Sequence, residues 1–342
     1  MYDADLELLE LIPQLAGHHV LVVGDLFLDE YWVGRATRLS REAPIPVLEF
    51  VRRFYVPGGA ANPAHNICAL GGQATAVGLI GDDPAGEQLL AELRQVGIDP
   101  SGVVLDRARP TTTKIRVMAE GSLLFPQQVA RIDRLDRSRP HGQVEADLVK
   151  QIQRQVAVVD AVLMSDYQTA VATPAVVEAV LAGARLHRIR CTVDAQGSFE
   201  KYAGFNLIKA NRHEVETALG RRLCSDEDFR RAGEELLDRL GAQAAVITRG
   251  ADGLSLVTRE DGCRHLPAAN RSEVFDVTGA GDTIIAVVTL AWAAGASLWQ
   301  AAQLANQAAG LVVRKLGNAV TSQVELRRVL ESSSGDETRP QG

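Results

Sequence analysis

Hydrophobic positions in this chain follow two recurring patterns. Unbroken runs such as His19-Val20-Leu21-Val22-Val23-Gly24-Asp25 and Ala244-Ala245-Val246-Ile247-Thr248 lack polar alternation, which predicts parallel strands buried on both faces. Similar runs occupy 74–81, 160–167, 189–194 and 206–209. Between them, apolar residues at three- and four-residue spacing predict helices over 5–16, 84–96, 143–157, 174–187 and 225–240, with Pro174 at one helix start. Two Ala-rich stretches, 281–294 and 298–315, predict closely packed buried helices. Strands alternating with helices predict an α/β fold around a mostly parallel sheet.

Two stretches break this alternation. Residues 30–56 contain strand-like Tyr31-Trp32-Val33 and Pro46-Val47-Leu48-Glu49-Phe50-Val51 without flanking helices, and 110–133 contains Thr111–Met118 and Val129–Asp133 around a turn near Gly121. Together they predict a small β lid; a long edge hairpin without function is the other reading. A lid would keep water from a reacting group. Residues 1–330 are expected to form one domain with this lid inserted. Residues 331–342 lack apolar content and are expected to be a disordered tail.

Composition narrows the function. A net charge of −7, with basic residues scattered among acidic ones, gives no support for nucleic-acid binding. Cys68, Cys191, Cys224 and Cys263 form no C-x-x-C pair and read as reduced apolar residues. The acidic N-terminus and the lack of a membrane-length apolar run lead to the expectation of a cytoplasmic protein without a membrane partner.

Candidate chemistry clusters at predicted strand ends and helix starts. Asp25 and Asp29 follow the first strand, where they suit either hydrogen bonding of sugar hydroxyls or a solvated turn. Gly58 and Gly59, with Asn62 after them, are expected at a helix mouth, where paired glycines allow a ligand to approach the backbone or merely form a flexible joint. Gly81-Asp82-Asp83-Pro84-Ala85-Gly86 has P-loop spacing, but Glu87-Gln88 stands where Lys-Ser/Thr is needed, and no G-x-G-x-x-G follows the first strand. Asn211 and Glu214 fit a capping box at a helix start. Thr248-Arg249-Gly250 reads as a hairpin turn. In Val274–Thr283 an extended run meets Gly279-Ala280-Gly281-Asp282 at the start of a buried helix. Small residues there expose amides at the positive end of the dipole, and a carboxylate beside them suits proton acceptance in phosphoryl transfer. The same residues also suit an ordinary start with Thr278 as N-cap and Asp282 complementing the dipole.

Asp276-Val277-Thr278-Gly279-Ala280-Gly281-Asp282-Thr283 resembles the C-terminal signature of the ribokinase-like (PfkB) carbohydrate kinases. The acid after strand one, the Gly-Gly…Asn element, the lid strands, N-x-x-E and Thr-x-Gly occur in that family's order across nearly the whole chain. The resemblance implies a three-layer α/β/α sandwich with a mostly parallel sheet and a β lid, and an ATP-dependent sugar kinase. It implies Asp282 as catalytic base, with the amides around Gly279, Ala280 and Gly281 as anion hole. Asp29, Gly58, Gly59 and Asn62 would bind the sugar, with Asp25 as an additional acid. Thr248, Gly250 and Asn211 would lie near the nucleotide phosphates, and Asn306 near adenine; Lys209, at the end of the strand before Asn211, is placed to contact the phosphates too. Asn211 and Glu214 would organise Mg²⁺ and its waters, while Asp276 and Thr278 match a site for K⁺. Gly24-Asp25…Leu28-Asp29, Ser40–Val47 and Pro57–Asn62 look more narrowly like the D-glycero-D-manno-heptose 7-phosphate kinases, where Lys114, Arg116 and Arg131 would suit the phosphate already present. Arg41 in place of an expected Pro, and Phe125-Pro126-Gln127-Gln128, depart from that pattern, so a kinase for another sugar or nucleoside remains open, as does a non-catalytic sugar-phosphate sensor. Exposed lid strands predict a homodimer.

Overall fold

A computed structural model describes residues 3–121, 126–270, 274, 276–315 and 317–333. In chain order the strands are β1 (His19–Gly24), β2 (Leu26–Leu39), β3 (Pro46–Gly59), β4 (Gln73–Val77), β5 (Leu79–Gly81), β6 (Val104–Asp106), β7 (Thr113–Glu120), β8 (Gln127–Arg134), β9 (Ala161–Asp166), β10 (Arg190–Ala195), β11 (Leu207–Asn211), β12 (Ala244–Thr248), β13 (Leu254–Thr258) and β14 (Gly262–Leu266). The helices are α1 (Asp3–Leu11), α2 (Ala61–Ala69), α3 (Pro84–Gln95), α4 (Gln143–Gln155), α5 (Pro174–His187), α6 (Arg212–Leu219), α7 (Asp226–Leu240), α8 (Ala280–Ala293), α9 (Leu298–Val312) and α10 (Gln323–Ser333).

The main sheet has the order β14-β13-β12-β11-β10-β9-β1-β4. From β12 to β4 every neighbour pair is parallel, while β13 and β14 add an antiparallel edge. Successive strand residues face opposite sides. Val20, Val22, Leu163 and Leu207 join a core with α2, α3, α8 and α9, whereas Leu21, Val23, Val162 and Ile208 join a second core with α4, α5 and α7. Residues buried on both sides need no polar alternation, which explains the unbroken runs. The layers are therefore helix, sheet, helix. Among the described residues, no helix is long and apolar enough to cross a membrane.

β2 and β3, 14 residues each, leave this sandwich as a hairpin and join β7 and β8 in a separate sheet of order β3-β2-β7-β8, with β2 parallel to β7. Three boundaries differ from expectation. Gly58 and Gly59 end β3 instead of opening the helix, which starts at Ala61. The helix expected over 298–315 stops at Val312. The expected tail begins inside α10, which runs to Ser333; residues 334–342 lie outside the described residues.

Candidate active site

The parallel strands finish in a common row. Gly24, Ser165, Asp194 and Lys209 are register partners across β1, β9, β10 and β11, so distant segments converge at the carboxyl edge of the sheet, where ligands bind in such folds. Register also explains the first ion pair there. Asp194 and Lys209 point to the same side, and Lys209 Nζ donates to Asp194 Oδ1 at 2.9 Å and Oδ2 at 2.8 Å. Burial opposes the Lys209 ammonium, but Asp194, with Asp282 and Glu214, more than offsets it and raises its pKa. Burial pushes the Asp194 carboxyl up, with Lys209 counteracting.

α8 begins directly above this pair. Its N-cap is Gly279, at φ +81°, and no side chain caps the helix. An alanine at 279 would meet left-handed strain, and its Cβ would lie 2.8 Å from Asn62 Nδ2. A Cβ on Gly281 would lie 2.7 Å from Lys209 Nζ. Small residues are thus required for the helix mouth to sit this close to its neighbours. Thr278 does not form the side-chain cap of an ordinary start; its amide instead donates to Asp276 Oδ1 at 2.9 Å.

Asp282 lies in the first turn of α8, 8% exposed. Asn62 Nδ2 donates to its Oδ2 at 2.7 Å, and the Tyr167 hydroxyl donates to its Oδ1 at 2.6 Å. Burial, reinforced by Asp194, pushes the Asp282 carboxyl up to about 6; Lys209, Tyr167 and Asn62 pull the other way. α2 is fixed against α8 by Asn66, which donates to the Asn62 carbonyl at 3.0 Å and accepts from Thr283 Oγ1 at 3.0 Å.

One face of the small sheet looks onto this carboxylate. Period-2 alternation puts Asp29, Tyr31, Lys114, Arg116 and Arg131 on that face. Arg116 Nη1 lies 2.5 Å from Asp29 Oδ1, yet neither atom has a partner in hydrogen-bonding geometry, so the charges pair off-axis. The other Asp29 oxygen accepts from Asn318 Nδ2 at 2.6 Å, and Gly58 passes so close that a Cβ would lie 2.5 Å from it. Lys114 Nζ sits 4.0 Å from the Phe27 ring centre, and burial lowers its pKa. Arg131, the cross-strand partner of Arg116, is exposed and forks onto Asp133 at 2.9 and 3.0 Å.

Two clefts flank the mouth of α8. The first, about 570 Å³, is lined by Tyr31, Phe54, Arg116, Asp276, Thr278 and Asn318, among others. The second, about 630 Å³, is lined by Lys209, Asn211, Thr248, Gly250, Ala280, Gly281 and Asn306, with Val277, Ile284, Ala309 and Val313 as apolar wall. Asn306 Nδ2 donates to the Pro267 carbonyl at 2.8 Å. Asn211 and Glu214 complete the capping box: Asn211 Oδ1 accepts from the Glu214 amide at 2.9 Å and Glu214 Oε2 from the Asn211 amide at 2.6 Å. Burial raises the Glu214 pKa. Asp276 bridges two loops, its second oxygen accepting from the Gly317 amide at 2.9 Å.

Asp25 departs from its expected role. It is buried, and its carboxylate accepts from the amides of Tyr167, Thr169 and Val171 at 2.7, 3.1 and 3.2 Å; it holds a loop and does not face the clefts. Asn318, from the loop after α9, reaches Asp29. Sequence reasoning missed Asp194, Tyr167 and Asn318 as site residues. Asp194 and Tyr167 stood at predicted strand ends, the one local signal available.

The layered core, the strand-end row and the separate sheet define a ribokinase-like α/β protein. Phosphofructokinase-2 from Escherichia coli in complex with potassium superimposes with a TM-score of 0.75 at 20% identity over 93% of this chain and 99% of that one. Ribokinase from Arabidopsis thaliana complexed with ribose and ATP gives 0.71 at 19% identity over 92% and 99%. Residues 18–324 match the pfkB family carbohydrate kinase profile, and the chain belongs to that family of enzymes. Among curated relatives, the Bifunctional protein HldE of Caulobacter vibrioides is 43% identical over 94% of this chain and 65% of that protein. That of Geobacter metallireducens is 42% identical over 90% and 62%. The chain thus spans less than two thirds of the length of these relatives.

Proposed function

We propose that the chain transfers a phosphoryl group from ATP to a sugar hydroxyl, O1 of D-glycero-D-manno-heptose 7-phosphate, with Asp282 as base. The carrying observation is the buried Asp282 carboxylate in the uncapped first turn of α8, held by Asn62 and Tyr167. A carboxylate raised to about 6 is ionised at neutral pH yet basic enough to accept a proton from an attacking hydroxyl. The amides of Gly279, Ala280 and Gly281 and the positive end of α8 would stabilise charge on the transferring group in line with that attack. ATP fits the larger cleft, with its base against Val277, Ala309, Val313 and Asn306 and its phosphates toward Lys209, Thr248 and Gly250.

The sugar would lie against Asp29, Gly58, Gly59 and Asn62. The buried Asp29 carboxylate and the Arg116 guanidinium paired with it at 2.5 Å offer charged hydrogen-bonding groups to a polar ligand there. Arg116 and Lys114 suit an existing phosphate; the exposed Arg131 is a weaker candidate.

Mg²⁺ fits as a water-bridged ion. Asn211 Oδ1 and Glu214 Oε2 are committed to the capping box, which leaves Glu214 Oε1 to orient hydration water. Mg²⁺ supplies charge neutralisation on the phosphates when bound. Asp276 and the Thr278 segment offer only oxygen donors, which fits K⁺. A homodimer through the small sheet is supported by its exposed Trp32, Phe50, Val129 and Ile132.

A coupled ADP-release assay over a panel of sugars and sugar phosphates tests the reading. The heptose 7-phosphate is expected to give the highest kcat/KM, with Arg116→Ala raising its KM at least about tenfold. A neutral sugar or nucleoside as best substrate would redirect the specificity, and no ADP with any acceptor would refute the enzyme.

A further inference from the structure

We propose that Tyr167 is a positioning residue for phosphoryl transfer: its phenol donates to Asp282 Oδ1 and, with Asn62 on Oδ2, orients the carboxylate and keeps it ionised. This rests on the reading of Asp282 as base.

Tyr167 is held from several directions. Its amide donates to Asp25 Oδ2 at 2.7 Å, and the same buried carboxylate takes the amides of Thr169 and Val171. The intervening Gln168 and Ala170 adopt φ of 60° and 78°, a left-handed conformation uncommon for residues other than glycine, and Asp25 bridges the amides on either side of it. The Tyr167 ring meets Phe27 edge-on at 5.2 Å, and the Lys114 ammonium stands 5.5 Å from its centre. Asp25 thus acts at one remove, by fixing the loop that aims the phenol.

The chemistry follows from the two donors. Each carboxylate oxygen offers two acceptor sites, so one neutral donor on each fixes the plane and leaves a site free for a substrate hydroxyl. Asp194 from β10 and Lys209 from β11 face the carboxylate, while Asp29 and Lys114 from the small sheet and Asp194 face the phenol. Burial and Asp194 favour the protonated base; Lys209, Tyr167 and Asn62 favour the ionised one. Burial and Asp282 hold the phenol well above its ordinary value, so at neutral pH it only donates.

Tyr167→Phe removes one hydroxyl and keeps the ring. Turnover of wild type, Tyr167→Phe and Asp282→Asn is measured against pH with both substrates saturating. In Tyr167→Phe the acid limb of kcat is expected to rise by about one pH unit. A carboxyl moving from about 6 to about 7 loses roughly fivefold in ionised fraction near pH 6 and almost nothing near pH 9. KM for the sugar should stay within about twofold. An unchanged acid limb, or a loss equal at all pH values, would overturn the proposal while an inactive Asp282→Asn left the base reading intact. Full activity of Asp282→Asn would overturn both.

Discussion

Asp282 faces opposing demands. The proposed role as base needs it ionised, but burial and Asp194 disfavour the charge. Replacement by Asn is expected to lower kcat at least about 10²-fold with little change in sugar KM, checked by ADP release; near-normal turnover would contradict the role. If Asp282 is the base, its ionised form is the active one, and wild-type kcat should fall as pH drops through about 6. Stability runs the other way. A carboxyl whose folded pKa lies above its unfolded value near 4 contributes stability that is complete below about 4 and lost as pH rises through about 6, by up to roughly 3 kcal/mol. Asp282→Asn should therefore melt at higher temperature than wild type at pH 8 and not at pH 4. Only part of that amount should appear, since the amide nitrogen cannot accept from Tyr167 or Asn62. Equal melting curves at both pH values would show that the charge is not strained.

At the scale of elements, α8 joins packing to chemistry. Its body is apolar all round, with Ile285, Val287, Val288 and Leu290 at 0% exposure, and packs against α2, α9 and the sheet. This rigid body fixes its uncapped mouth over β10 and β11. Gly279→Ala should cost about 1–2 kcal/mol in urea unfolding from left-handed strain and should also depress kcat, because the new Cβ displaces Asn62 from Asp282. A variant with wild-type kcat would remove Asn62 from the mechanism. Asp194→Leu should cost about 3–5 kcal/mol, since it leaves the Lys209 ammonium buried without its partner. A loss below about 1 kcal/mol would mean that water reaches Lys209.

For the whole molecule, the separate sheet is the proposed dimer surface. Its β8 is exposed throughout, and Phe50 and Ile132 are 69% and 56% exposed. Size-exclusion chromatography with light scattering should return twice the 36.8 kDa of the chain, and Trp32→Lys with Ile132→Lys should halve the mass. A single-chain mass for wild type would reject the dimer. Most of the α/β order was legible because strands buried on both faces and amphipathic helices each carry a pattern within a short window. The capping box at Asn211 and Glu214 was legible for the same reason, as a bond between residues three apart. Asp25 misled because an acid after a strand looks the same from sequence whether it faces a ligand or three backbone amides.

The sequence by itself determined the alternating elements, the acids at strand ends and the small residues at the mouth of α8, because periodicity, capping and backbone sterics act over a few residues. Only the tertiary structure decided that Tyr167 reaches Asp282 across 115 residues, that Asn318 reaches Asp29 across 289, and that Lys209 answers Asp194. Those meetings depend on strand order and register, which the two cores set collectively by burying opposite faces of one sheet.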